Sequence, residues 1–120
     1  MGLTYVTVSI KASLESPEEY REQFLVDTGA IDSMAPADGL KTAGIKPVGR
    51  ATYELASGDT VEYPFGLCTI EFMGEITSGR VIFGPHGCEP LLGVTALESV
   101  GILVDPTKKT LKRLPAIPLK

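Results

Sequence analysis

The sequence predicts an all-β fold in a single domain spanning residues 1–120, on three observations. The chain holds 13 glycines and 9 prolines but only 7% aromatic residues, a composition that suits many short strands joined by tight turns. Thr4-Tyr5-Val6-Thr7-Val8-Ser9-Ile10 alternates polar and apolar side chains, which places Val6, Val8 and Ile10 on one face of a half-buried strand. Phe24-Leu25-Val26 then runs straight into Asp27-Thr28-Gly29-Ala30, an apolar strand that ends in a sharp turn. A chain of 120 residues can enclose a real core but is short for a self-sufficient two-lobed enzyme.

After the first alternating strand, Ser16-Pro17-Glu18-Glu19-Tyr20 carries a cap residue, a proline and two acids, and reads equally as one helical turn or a polar hairpin tip. Residues 23–27 form a strand that delivers Asp27 to its end, where burial and a second charge could act on the carboxyl group. Ala37-Asp38-Gly39-Leu40-Lys41-Thr42-Ala43-Gly44 reads as a short surface helix ended by Gly44. Residues 52–55, 60–73 and 76–83 read as strands of a long folded meander, with Ala56-Ser57-Gly58-Asp59-Thr60 as a hairpin tip whose glycine suits a positive φ. Pro90-Leu91-Leu92-Gly93 repeats the apolar-pair-then-turn pattern. It opens into a short helix in which Ala96, Leu97 and Val100 share a face and Gly101 is the stop. No repeat, low-complexity tract or linker divides the chain.

Asp27-Thr28-Gly29-Ala30, followed in order by the hairpin tip and by Leu91-Leu92-Gly93 with its helix, resembles the retropepsin-like aspartic proteases. The likeness runs from about Tyr5 to Leu114. It implies a closed β-barrel or sandwich with a flap hairpin and one short C-terminal helix, acting as a homodimer without a cofactor. It implies that Asp27, Thr28 and Gly29 form the catalytic motif. Ala30 and the flap residues Ala56, Ser57, Gly58 and Asp59 would then lie near a bound peptide or protein substrate. On local sequence alone, that last segment is only a surface turn.

The chemistry of such an enzyme needs two carboxylates: one takes a proton from water while the other polarises or protonates the scissile carbonyl. This chain has one Asp-Thr-Gly; Asp32, Asp38, Asp59 and Asp105 all lack the following Thr-Gly. By resemblance, two chains meet about a twofold axis with Asp27 beside its copy, Thr28 bonding across the axis and Gly29 admitting substrate backbone. The sequence departs from the retroviral pattern where Ile31 and Val94 replace an acid and an arginine that form an ion pair there. Both charges are missing together, so neither is left orphaned, and an apolar contact in their place is expected. Pro115 and Pro118 near the C-terminus are poor members of a central sheet, unlike the interleaved chain ends of the retroviral dimer. These departures fit a cellular or prokaryotic member of the group. The alternative function is a dimeric peptide-binding or scaffold module that keeps the fold with little or no turnover.

A net charge of −4 with no lysine or arginine run argues against nucleic acid, and no stretch approaches the roughly 18 apolar residues of a membrane span. Met1-Gly2-Leu3-Thr4-Tyr5 lacks the basic and long apolar regions of a signal peptide, and Val6 stands where myristoylation wants Ser or Thr. A cytoplasmic location is the default expectation. His86 and Cys88 have the wrong number of companions for a structural metal site, so none is expected. Cys68 reads as a small buried hydrophobe, and a Cys68–Cys88 disulfide stays open, disfavoured in the cytoplasm.

Overall fold

The alternating N-terminal segment becomes strand β1 (Tyr5–Lys11), paired antiparallel with β2 (Tyr20–Asp27) so that Val6 faces Phe24, in a computed structural model that describes residues 4–119. Residues 12–19 join the two strands as a polar hairpin tip without a helical turn, and Tyr20 already belongs to β2. The tip reaches back onto the barrel, where the Ser9 hydroxyl donates to the Glu19 carboxylate. Ser9 is therefore buried along with Val8 and Ile10, and β1 is covered on both faces instead of one. The expectations concerning a leader or lipid at Met1, Gly2 and Leu3 fall outside the described residues.

The remaining elements are β3 (Ser33–Pro36), α1 (Ala37–Thr42), β4 (Gly49–Glu54), β5 (Thr60–Phe72), β6 (Glu75–Gly84), β7 (Leu91–Gly93), α2 (Val94–Ser99), β8 (Ile102–Asp105) and β9 (Thr110–Arg113). Hydrogen bonding runs in the order β1-β2-β7-β3-β6-β5, and β5 pairs again with β1, Ile10 opposite Ile70. The predicted closed β-barrel is thus present, with six strands in the closed circuit. β4 stands outside it, bonded only to β5 in the sheet. The N-terminal half of β5 extends past the end of β6: its Pro64 pairs with Arg50 of β4, and pairing with β6 begins at Phe65. Pro64 therefore has a partner strand on one side only, where a missing N–H can face the open side, which is why a proline is tolerated in a long strand here.

Burial of apolar side chains inside the barrel is the main source of stability. Phe24, Ile10, Ile70 and Leu92 come from the barrel wall, while Leu97 from α2 and Leu40 from α1 cap it; all are almost fully buried. α1 is less of a surface helix than its sequence suggests, since Leu40 and Ala43 face the core. Gly44 follows with φ +86, the left-handed turn that ends it.

β8 and β9 form a separate antiparallel pair, Val104 opposite Leu111. Their turn is held by Asp105, whose Oδ1 accepts the N–H groups of Thr107 and Lys108 at 2.9 and 3.1 Å. Pro115 and Pro118 lie beyond β9 and outside both sheets. Cys68 and Cys88 are free thiols, not a disulfide. Burial pushes the Cys68 thiol up to about 12, which keeps it protonated and inert near neutral pH. His86 pairs with Asp38 at 3.5 Å, both exposed, and among the described residues no group of three or more His, Cys, Asp or Glu is placed to hold a metal ion. No described helix is long and apolar enough to cross a membrane.

Candidate active site

Asp27 is the last residue of β2, and β2 is held on both sides, antiparallel by β1 and parallel by β7. Phe24 is buried in the barrel and anchors the strand, while Leu25, Val26 and Asp27 at its end are half-buried. The chain then turns: the Ala30 N–H donates to the Asp27 carbonyl at 3.1 Å, and the Gly29 N–H donates to Asp27 Oδ1 at 2.9 Å. One carboxylate oxygen is thus anchored by a backbone amide, an orientation that the Asp-Thr-Gly order produces without help from any other element.

The register of β2 against β7 brings the two sequence motifs together. Leu25 faces Leu91, Val26 faces Leu92, and Asp27 faces Gly93. A Cβ on Gly93 would lie 2.6 Å from the Ile31 carbonyl oxygen and 2.6 Å from the Asp32 carbonyl carbon, so only glycine fits. The same junction ties down the loop after Asp27. The N–H groups of Gly93, Val94 and Thr95 donate to Ser33 Oγ at 3.0 Å, to the Ala30 carbonyl at 2.8 Å and to the Ile31 carbonyl at 3.2 Å.

An open cleft of about 760 Å³ lies above this junction. Asp27, Gly29 and Ala30 line its floor, Met34, Ile82 and Leu91 supply apolar wall, and Thr52 to Ala56 of the β4–β5 hairpin form the far side. Of the anticipated hairpin residues, Ala56 lines the cleft, whereas Ser57, Gly58 and Asp59 form the tip beyond its lining. The tip is closed by Leu55 N–H to the Asp59 carbonyl at 2.8 Å and Gly58 N–H to the Leu55 carbonyl at 2.9 Å, with Gly58 at φ +91. Thr28 is exposed and faces elsewhere. It lines a second groove, of about 340 Å³, with Val94, Leu97, Ile102, Leu103 and Val104.

Ile31 is 66% exposed and lines the cleft, so in the single chain it is not packed away against Val94 as an apolar substitute for the missing ion pair. The two segments are joined through backbone instead, by the Val94 and Thr95 amides. Among the cleft residues that escaped sequence reasoning, Asp32 and Tyr53 form a polar pair. Asp32, noted only as an acid without Thr-Gly, accepts a hydrogen bond from the Tyr53 hydroxyl at 3.0 Å. The partners are separated by 21 residues and belong to different elements, so no local pattern announces the pair.

No family model matches the chain, and no curated protein matches it in sequence. Solved structures do. The EIAV protease in complex with an inhibitor is 20% identical, with 83% of this chain and 89% of that one covered at a TM-score of 0.59. The retroviral protease-like domain of Ddi1 from Leishmania major is 16% identical over 97% of this chain and 91% of its own, with a TM-score of 0.58. The Simian Foamy Virus (mac) protease in solution is 17% identical over 75% and 87%, with a TM-score of 0.52. At these identities the likeness concerns architecture, and it agrees with the closed β-barrel. The chain has the retropepsin-like fold.

Proposed function

We propose that the protein is an aspartic endopeptidase whose active site forms from two copies of the chain. The observation that carries this reading is the placement of Asp27: a carboxylate anchored through one oxygen by the Gly29 amide, on the floor of an open cleft faced by a hairpin. Asp27, Thr28 and Gly29 are its catalytic motif, and Ala30, Ala56, Ser57, Gly58 and Asp59 its substrate-binding residues. A single carboxylate cannot both take a proton from water and give one to the carbonyl oxygen. With one Asp-Thr-Gly per chain, the second must come from a twofold-related copy.

In this mechanism, one Asp27 carboxylate accepts a proton from the attacking water while the partner Asp27, protonated, donates to the scissile carbonyl oxygen. Two carboxylates at such close range hold one shared proton because both cannot ionise together. An extended peptide lies between the cleft floor and the hairpin. The surface that would meet the second copy is the Thr28 face. Thr28 follows Asp27 directly, is exposed, and borders an apolar groove beside β8, whose other edge pairs with no described strand. Burying that groove and covering that edge would both favour a dimer.

The test is a mixed peptide library incubated with wild-type and Asp27→Asn protein and read by mass spectrometry. Cleavage by the wild type alone supports the reading. Saturable binding with no cleavage at any pH would assign a peptide-binding module instead. The hairpin gives a sharper expectation. A Cβ at position 58 meets no atom within 4 Å, but valine there must adopt φ near +91, at a cost of roughly 1–2 kcal/mol. Gly58→Val should therefore lower the melting temperature by a few degrees while reducing kcat/KM about tenfold or more, because the tip backbone is displaced over the cleft. Activity that falls no further than stability would make the tip a plain surface turn.

A further inference from the structure

We propose that Tyr53 is a positioning residue that latches the β4–β5 hairpin to the loop behind the catalytic motif through Asp32, setting the width of the cleft before substrate arrives. For its kinetic consequence the inference rests on the endopeptidase reading; for its structural consequence it does not.

The hairpin needs such a hold. β4 is the terminal strand of its sheet and bonds only to β5, and the tip hydrogen bonds at Leu55 and Gly58 are internal to the hairpin. Nothing in the ladder fixes its distance from the cleft floor. The Tyr53 hydroxyl supplies that link: it lies two residues before Leu55 in the chain and donates across the cleft to Asp32 Oδ2 at 3.0 Å. The far end of the link is rigid, because Ala30, Ile31 and Ser33 around Asp32 are all bonded to the amides of Gly93, Val94 and Thr95.

Arg80 of β6 completes the arrangement. Its guanidinium lies 3.9 Å over the centroid of the Phe65 ring, and its positive charge near Tyr53 acts on the phenol in the opposite direction to Asp32. Burial and the bond to Asp32 hold the phenol above its ordinary range despite Arg80, so the hydroxyl keeps its proton and remains a donor across the working pH range. The tyrosine ring itself lines the cleft, so the latch and the substrate wall are one side chain.

The latch is read by amide hydrogen exchange at Leu55 and Gly58 in the substrate-free full chain. Removing one hydrogen bond of this kind should speed exchange at both amides about fivefold in Tyr53→Phe and equally in Asp32→Ala, with the double variant no faster than either. Asp32→Asn keeps an acceptor oxygen and should exchange like wild type. With a cleaved peptide, Tyr53→Phe should raise KM about fivefold while kcat stays within about twofold, since substrate must then order the hairpin itself. Unchanged exchange in Tyr53→Phe overturns the latch, as does an additive double variant. If Asp32→Ala fails to fold, Tyr53→Phe and Asp32→Asn decide alone. A wild type that cleaves no peptide refutes the endopeptidase reading, while the exchange data still judge the latch.

Discussion

Asp27→Asn should reduce peptide hydrolysis by at least about 10³-fold while leaving the fold and the dimer intact. The asparagine amide cannot accept the proton of the attacking water, and it cannot share a proton with a partner carboxyl. Its volume is nearly that of aspartate, and it retains a carbonyl oxygen for the Gly29 N–H that Asp27 Oδ1 now receives at 2.9 Å. Asp27 is half-buried and makes no ion pair among the described residues, so little stability rests on its charge. The melting temperature should stay within about 2 °C of wild type, as for a substitution that preserves packing and the one hydrogen bond. A purified variant that keeps its cleavage rate would remove Asp27 from the chemistry. One that loses activity together with several degrees of stability would leave its role undecided between chemistry and folding, and sedimentation of the variant separates the two.

Gly93→Ala should be the most damaging single methyl group that can be added near the site. The new Cβ would press on main-chain atoms, the Ile31 carbonyl oxygen at 2.6 Å and the Asp32 carbonyl at 2.6–2.7 Å, and no side-chain rotation relieves that. Either β7 moves away from Asp27, to which Gly93 is paired in register, or the loop 30–33 moves and breaks its bonds to the Gly93, Val94 and Thr95 amides. Overpacking of this kind costs about 3 kcal/mol, which corresponds to a melting temperature lower by roughly 10 °C in a chain of this size. Activity should fall further than the loss of folded protein explains, since both routes shift Asp27 or the cleft floor. Thermal melting decides it: a change of no more than about 2 °C would mean that the junction is looser than its distances indicate.

The elements legible in the sequence were those whose side chains bury in a simple pattern. Val6, Val8 and Ile10 alternate because β1 is a strand of a closed barrel, and Asp27-Thr28-Gly29 marks the strand end because a local turn needs those residues in that order. Ser33–Pro36, Ile102–Asp105 and Thr110–Arg113 were missed as strands. Each is only four residues long, too short for its local pattern to stand out; Ser33–Pro36 is made a strand by distant β6 and β7, and Ile102–Asp105 and Thr110–Arg113 by pairing with each other across a short turn. The Asp105-Pro106-Thr107 sequence did hold a turn signal, visible in retrospect as the Asp105 carboxylate capping the β8–β9 turn. At the site, the meeting of Asp27 with Gly93 could be expected from resemblance alone. The Tyr53–Asp32 bond could not, because closing the barrel is what brings β4 over the loop after β2.

Subunit mixing tests the central claim, that catalysis needs Asp27 from each of two chains. Wild-type and Asp27→Asn chains are co-refolded at fixed total concentration in varying ratio, and the initial rate of peptide cleavage is measured. If both carboxylates are required, activity follows the square of the wild-type fraction, so an equal mixture retains about one quarter of the full rate. A rate that falls linearly, to about one half at equal mixing, would show that each chain works with its own Asp27 and would contradict the shared site.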